Sequence, residues 1–164
     1  ATDGAAAGAS GPGEAGEDGP SAEAAPPAAG VPGATPLVPP RRSLGLLERL
    51  RRDGHVAISG LDFEPGGATL SPGSAPALDM LAGLLRAEEA LEVIVVGHSD
   101  NEGGLEPNLA LSRRRAEAVM GALVARGVPE AQLAARGVGF LAPLTSNATA
   151  SGRARNRRVE LVLR

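Results

Sequence analysis

A polar loop, GHSDNEGG at Gly97–Gly104, follows the run LEVIVV at Leu91–Val96, apolar apart from Glu92, and it carries the carboxylate of Asp100. In sheets with crossover helices, ligands bind where the carboxyl end of a strand opens into the loop leading to the next helix. The stretch downstream, NLALSRRRAEAV, supplies Asn108, Ser112 and Arg115. Seven helical residues turn through about 700°, within about 20° of two full turns, so Asn108 and Arg115 share a face with Ser112 between them. Helical side chains lean toward the helix N-terminus, which directs Arg115 back toward the loop bearing Asp100. A carboxylate and a guanidinium flanking one small pocket suit a zwitterion: Asp100 takes an ammonium, and Arg115 clamps a carboxylate through two parallel hydrogen bonds. The same two residues would equally serve as an exposed brace between loop and helix, worth roughly 0–1 kcal/mol. Residue types and spacing leave both readings open.

Other chemistries fit less well. His98, Ser99 and Asp100 are consecutive, and neighbours on an extended strand point to opposite faces, so they do not form a nucleophile–base–orienter chain. His55 and His98 lack a third ligand at metal-binding spacing and read as packed or rim histidines, so no metal site is expected. The glycines of RGVG, Arg136–Gly139, precede no phosphate-binding helix and read as a turn, and no cofactor is expected. The arginine runs 113–115 and 153–158 raise nucleic-acid binding, since clustered arginine neutralises phosphates. Three consecutive helical arginines sweep about 200°, however, and do not share one contact face. The chain also has no Trp or Tyr and two Phe for stacking bases.

The elements that position these residues follow from composition and periodicity. Residues 1–40 hold 12 Ala, 8 Gly, 8 Pro, five acids and no basic residue. Such a segment buries too little apolar surface to offset its ordering entropy, and is expected to be a disordered, semi-extended linker. Forty residues at about 3 Å each reach on the order of 100 Å. Residues 41–164 carry all 16 basic residues, every one Arg, against the other 14 of the 19 acids, and are formally +2. There is no Cys, which excludes disulfides. No apolar run is long enough for a membrane-spanning helix, and the start has no basic segment leading into an apolar one, so a signal peptide is expected to be absent or removed.

Leu44, Leu47 and Leu50 at spacing three indicate a short amphipathic helix or a lead-in to the strand HVAIS. LDFEPGGATLSPGS reads as loop. Ser74 and Pro76 mark the start of a helix whose apolar face is Leu78, Leu81, Leu84 and Leu85. LEVIVV, apolar apart from Glu92, suggests a central strand covered on both faces. A second helix is expected from Pro107 to Arg126, with Val119, Met120, Leu123 and Val124 inward and Gly127 as its stop. QLAARGVG and the alternating RRVELVLR complete the order β-α-β-α-β-β. This is an α/β two-layer sandwich, with a mixed sheet of about four strands and helices packed on one face.

VIVVGHSDNEGG, then NLALSRRRAEAV, RGVG and NATASGRARNRRVEL, with their spacings, closely resemble the OmpA-like peptidoglycan-binding domain. Its pattern runs GHTD, a Gly, N..LS..RA and N.T..GR..NRRVE, and the likeness covers roughly residues 55–164. The resemblance implies that residues 41–164 form a non-catalytic wall-binding domain, with Asp100 and Arg115 holding the ammonium and carboxylate of diaminopimelate in a peptidoglycan stem peptide. It further implies that Asn108, Leu111 and the segment around Phe63 line the pocket. Arg153, Asn156, Arg157 and Arg158 are expected to tie the last strand to the preceding loop, one of them reaching the pocket. Localisation in the periplasm, at the outer membrane or wall, follows from the same likeness. An alternative within the family is a domain whose main partner is another envelope protein. Ser99 stands where most members have Thr and keeps the hydroxyl; Pro107 replaces a frequent aromatic at the pocket rim.

Overall fold

The computed structural model describes residues 41–164; the expected linker, residues 1–40, lies outside the described residues. Four helices and four strands follow in the order α1 (Arg41–Asp53), β1 (His55–Ile58), α2 (Ala75–Ala87), β2 (Val93–Gly97), α3 (Leu105–Val124), β3 (Leu133–Gly137), α4 (Ala150–Asn156) and β4 (Val159–Leu163). The strands form one mixed sheet in the order β1-β4-β2-β3. β2 and β3 run parallel, with α3 as the crossover that parallel pairing requires, while β4 is antiparallel to both of its neighbours.

Alternation selects one buried face. Val56, Ile58, Val93, Val95, Val159 and Leu161 turn toward Leu46, Leu47 and Leu50 of α1, Leu78, Leu81, Leu84 and Leu85 of α2, and Val119 and Leu123 of α3. Each such side chain contributes about 1.5–3 kcal/mol by leaving water, which makes this aliphatic layer the main source of cohesion. No helix among the described residues is long and apolar enough to cross a membrane.

Four expectations need correction. The order β-α-β-α-β-β omits α1, where the helical of the two readings holds, and α4, which overlaps the second arginine run. Thr149 starts α4 by accepting a hydrogen bond from the Gly152 amide through its hydroxyl. β2 is not covered on both faces, since Ile94 and Val96 are only half-buried. Ser74 precedes α2 without capping it; its hydroxyl donates to the Asp62 carbonyl and accepts from the Asp62 amide, both at 2.9 Å. In α3, Val124 is 37% exposed and Met120 only packs against the core's margin, because the helix turns its inward stripe through Ala116, Val119 and Leu123.

Two glycines bring α3 close to the carboxyl ends of β2 and β3. A Cβ at Gly97 would collide with the Ser112 carbonyl, and one at Gly137 with the Arg113 amide. Their absence lets the Ser112 hydroxyl donate to the Leu109 carbonyl (3.0 Å) and accept from the Gly139 amide (2.9 Å). This clip fixes the face of α3 that carries Arg115.

Candidate ligand-binding site

Beyond β2 the chain stays extended: the His98 amide donates to the Arg158 carbonyl and the Ser99 amide to the Gly139 carbonyl, each at 2.9 Å. Asp100 then turns the loop by accepting from the Glu102 amide at Oδ1 (3.1 Å). Asn108 holds the turn's far side, its Nδ2 donating to the carbonyls of Glu102 (2.8 Å) and Gly104 (3.0 Å). It is therefore a loop brace, and neither Asn108 nor Leu111 is among the residues lining the cleft described below.

The other wall is the segment between β1 and α2. A single bridge pairs Phe63 with Leu70, and backbone hydrogen bonds from Ser71 to Asp62 and from Glu64 to Thr69 hold the segment as a tight hairpin. Arg115 reaches this wall rather than Asp100. Its Nε donates to the Gly67 carbonyl at 2.9 Å, and its guanidinium carbon stands 5.1 Å from the centre of the Phe63 ring, a cation–π contact. Arg115 is 9% exposed, and among the described residues its two terminal nitrogens have no hydrogen-bond partner. Burial pushes its pKa down, the charge of Arg157 pushes the same way, and Asp100 opposes both.

The partner of Asp100 is Arg157, whose Nη1 donates to Oδ2 at 2.7 Å. The family likeness pointed to one residue of the second arginine run at the pocket, but no spacing signalled this pairing across 57 positions. α4 delivers it: Asn156, fully buried, accepts from the Leu144 and Thr145 amides and donates to the Thr145 carbonyl and to Asn147 Oδ1. That knot sets Arg157 at the mouth and Arg158 behind it. Arg158 binds Glu160 (2.7 Å) and the Ala142 carbonyl (3.3 Å), while Arg153 pairs with Glu102 (2.9 Å).

Between the walls lies a cleft of about 280 Å³ bounded by Leu61, Asp62, Phe63, His98, Arg115, Ala154, Arg157 and Arg158. Of the expected site residues, Phe63 and Arg115 line this cleft; Asp100 is not among its lining residues and is linked to it through Arg157. His98 is 4% exposed, with Nε2 3.5 Å from Glu160 Oε2. Burial and then the Arg158 charge push its pKa down, against Glu160, so it is neutral near pH 7. Ser99 Oγ donates to the Asp100 carbonyl instead of to a base. Arg113 pairs with Glu117 on the exposed face of α3, so the first arginine run does not converge on one surface.

The fold and the cleft define a small α/β sandwich with an open cleft at the carboxyl end of β2. The chain belongs to the OmpA family, whose model matches residues 62–157. It is 40% identical over 101 residues to the probable lipoprotein YiaD of Escherichia coli, covering 62% of this chain and 46% of the relative. It is 41% identical over 109 residues to the peptidoglycan-binding protein ArfA of Mycobacterium tuberculosis, covering 65% and 33%. The chain thus spans less than half the length of these two curated relatives. Among solved structures, the peptidoglycan-associated lipoprotein of Burkholderia pseudomallei superposes with a TM-score of 0.60 at 31% identity, covering 63% of this chain and 88% of that one.

Proposed function

We propose that this domain binds cell-wall peptidoglycan without catalysis, by holding the zwitterionic end of diaminopimelate in a stem peptide. One observation carries the reading: Arg115 is nine-tenths buried and pinned at Nε, while its terminal nitrogens stay open to the cleft and have no partner among the described residues. A guanidinium held in place with its two terminal nitrogens facing a cleft offers a carboxylate a planar pair of donors, and partial burial strengthens that bond. Asp100 supplies the charge for the ammonium, and Phe63 supplies an apolar wall for the intervening methylenes. The relatives named as peptidoglycan-binding and peptidoglycan-associated support the polymer. The same relatives support a place in the cell envelope, with residues 41–164 as the binding domain and residues 1–40 as its tether. The anchoring and partners of the whole protein are proposals on the same footing.

Co-sedimentation with protein-free sacculi tests this. Arg115→Lys replaces a planar fork by a point charge and is expected to weaken binding about tenfold to a hundredfold, roughly 1.4–2.7 kcal/mol, with the fold intact. A folded Arg115→Lys protein that sediments like the parent would return Arg115 to the role of a brace. Soluble muropeptides with diaminopimelate or lysine at the third position then test the zwitterion, with at least about a hundredfold preference expected for the former.

A further inference from the structure

Asp100, the carboxylate assigned to the ligand's ammonium, already has a cation. Arg157 Nη1 lies 2.7 Å from Oδ2, and the Asp100 side chain is 10% exposed against 46% for Arg157. Arg115, which shares the cleft, has no anion among its hydrogen-bond partners in the described residues. Arg158 is matched by Glu160 at 2.7 Å. Arg157 thus holds the buried carboxylate and Arg115 has none of its own; the Asp62 carboxylate also lines the cleft, but it is exposed and bonds neither arginine among the described residues.

We propose that Arg157 is a specificity-determining residue: it is the internal counter-ion of Asp100, and a ligand reaches Asp100 by exchanging ion pairs with it. The inference rests on the zwitterion reading above. An ammonium that takes Asp100 releases Arg157, and the exchange is balanced only when the same ligand brings a carboxylate for Arg157 and Arg115 to share. A ligand with an ammonium alone breaks the resident pair and returns nothing to either arginine. Arg157 thereby raises discrimination between α-amino acid ends and plain amines beyond what Arg115 alone supplies. The mutual repulsion of the two arginines, which also lowers the Arg115 pKa, is relieved by the same carboxylate.

The test is calorimetric titration of the full chain, as wild type, Arg157→Gln and Arg157→Met, with two soluble muropeptides differing only in diaminopimelate or lysine at the third position. Arg157 is half-exposed, so both variants are expected to fold, which circular dichroism checks. The expected result is a preference for diaminopimelate that shrinks at least about tenfold in each variant. The lysine peptide should bind more tightly in absolute terms, because Asp100 no longer has a cation to give up. General damage to the cleft would weaken both peptides together and leave their ratio unchanged. A constant ratio overturns the exchange role while the pocket itself stands. A wild-type protein with no preference overturns the zwitterion pocket and the exchange with it. If neither variant folds, a structure of the wild-type complex decides: Arg157 on the ligand carboxylate supports the proposal, and Arg157 still on Asp100 overturns it.

Discussion

Asp100 and Arg115 show how far a spacing argument reaches at the scale of single residues. The helical turn puts Arg115 on the face of α3 that meets the cleft, yet its Nε lands on Gly67 and its guanidinium over Phe63, with Asp100 taken by Arg157. Local periodicity states direction; the partner at the end of a long side chain depends on segments folded against it from elsewhere. His98 gives a prediction at the same scale. It faces Arg158 and Glu160, with the Ala142 carbonyl nearby, and its pKa is lowered chiefly by burial. Between the folded and unfolded pKa values the native protein binds fewer protons than the unfolded chain. Stability from His98 is therefore fully present above the unfolded value of about 6.5 and is lost as pH falls through the folded value. The melting temperature should fall on going from about pH 7.5 to about pH 5.5, by no more than about 1.4 kcal/mol per pH unit in stability, and His98→Gln should flatten that dependence. An unchanged slope in His98→Gln would assign the titration to another group.

At the scale of elements, the contact between α3 and the β2–β3 pair is set by glycines that look alike in the sequence and differ in space. Gly97→Ala or Gly137→Ala forces a methyl into the backbone of α3, where neither partner has a flexible end to move, and should cost about 3 kcal/mol or more. Gly121, inside α3, has no heavy atom within 4 Å of an added Cβ, and Gly121→Ala should stabilise by about 0.5–1 kcal/mol through helix propensity. Thermal melts of the three variants compare these signs directly; a stabilised Gly97→Ala would mean that α3 is not held where the structure puts it. β2, α2, α3 and β4 were legible because each repeats its apolar period over enough residues. α4 was not, since seven residues make barely two turns and its sequence, ASGRARN, has no apolar stripe. The half-exposed second face of β2 was hidden as well, because Ile94 and Val96 resemble core residues whichever way they point.

For the whole molecule, the two-layer class and the single mixed sheet followed from the order of periodic segments, while the strand order β1-β4-β2-β3 came only with the structure, because pairing between distant strands leaves no local mark. Composition sets a further expectation: removing residues 1–40 should leave the melting temperature nearly unchanged, and a clear drop would mean that this segment packs on the domain. The register of β1 on β4 has a mechanical consequence. His55 pairs with Val162 and Ile58 with Val159, so the chain enters the sheet at the end opposite Arg157 and the cleft. Tension arriving from before residue 41, with a ligand fixed in the cleft, first loads α1 and then draws β1 along its own axis away from the start of β4. Hydrogen bonds perpendicular to the strands then bear the load together, as in shear. A handle at Arg164 instead pulls on the end of β4 that lies beside His55, and opens the same bonds one after another. Single-molecule pulling between the N-terminus and residue 155 should therefore require more force than pulling between the N-terminus and Arg164, and equal forces would show that the β1–β4 pair is not what resists the load.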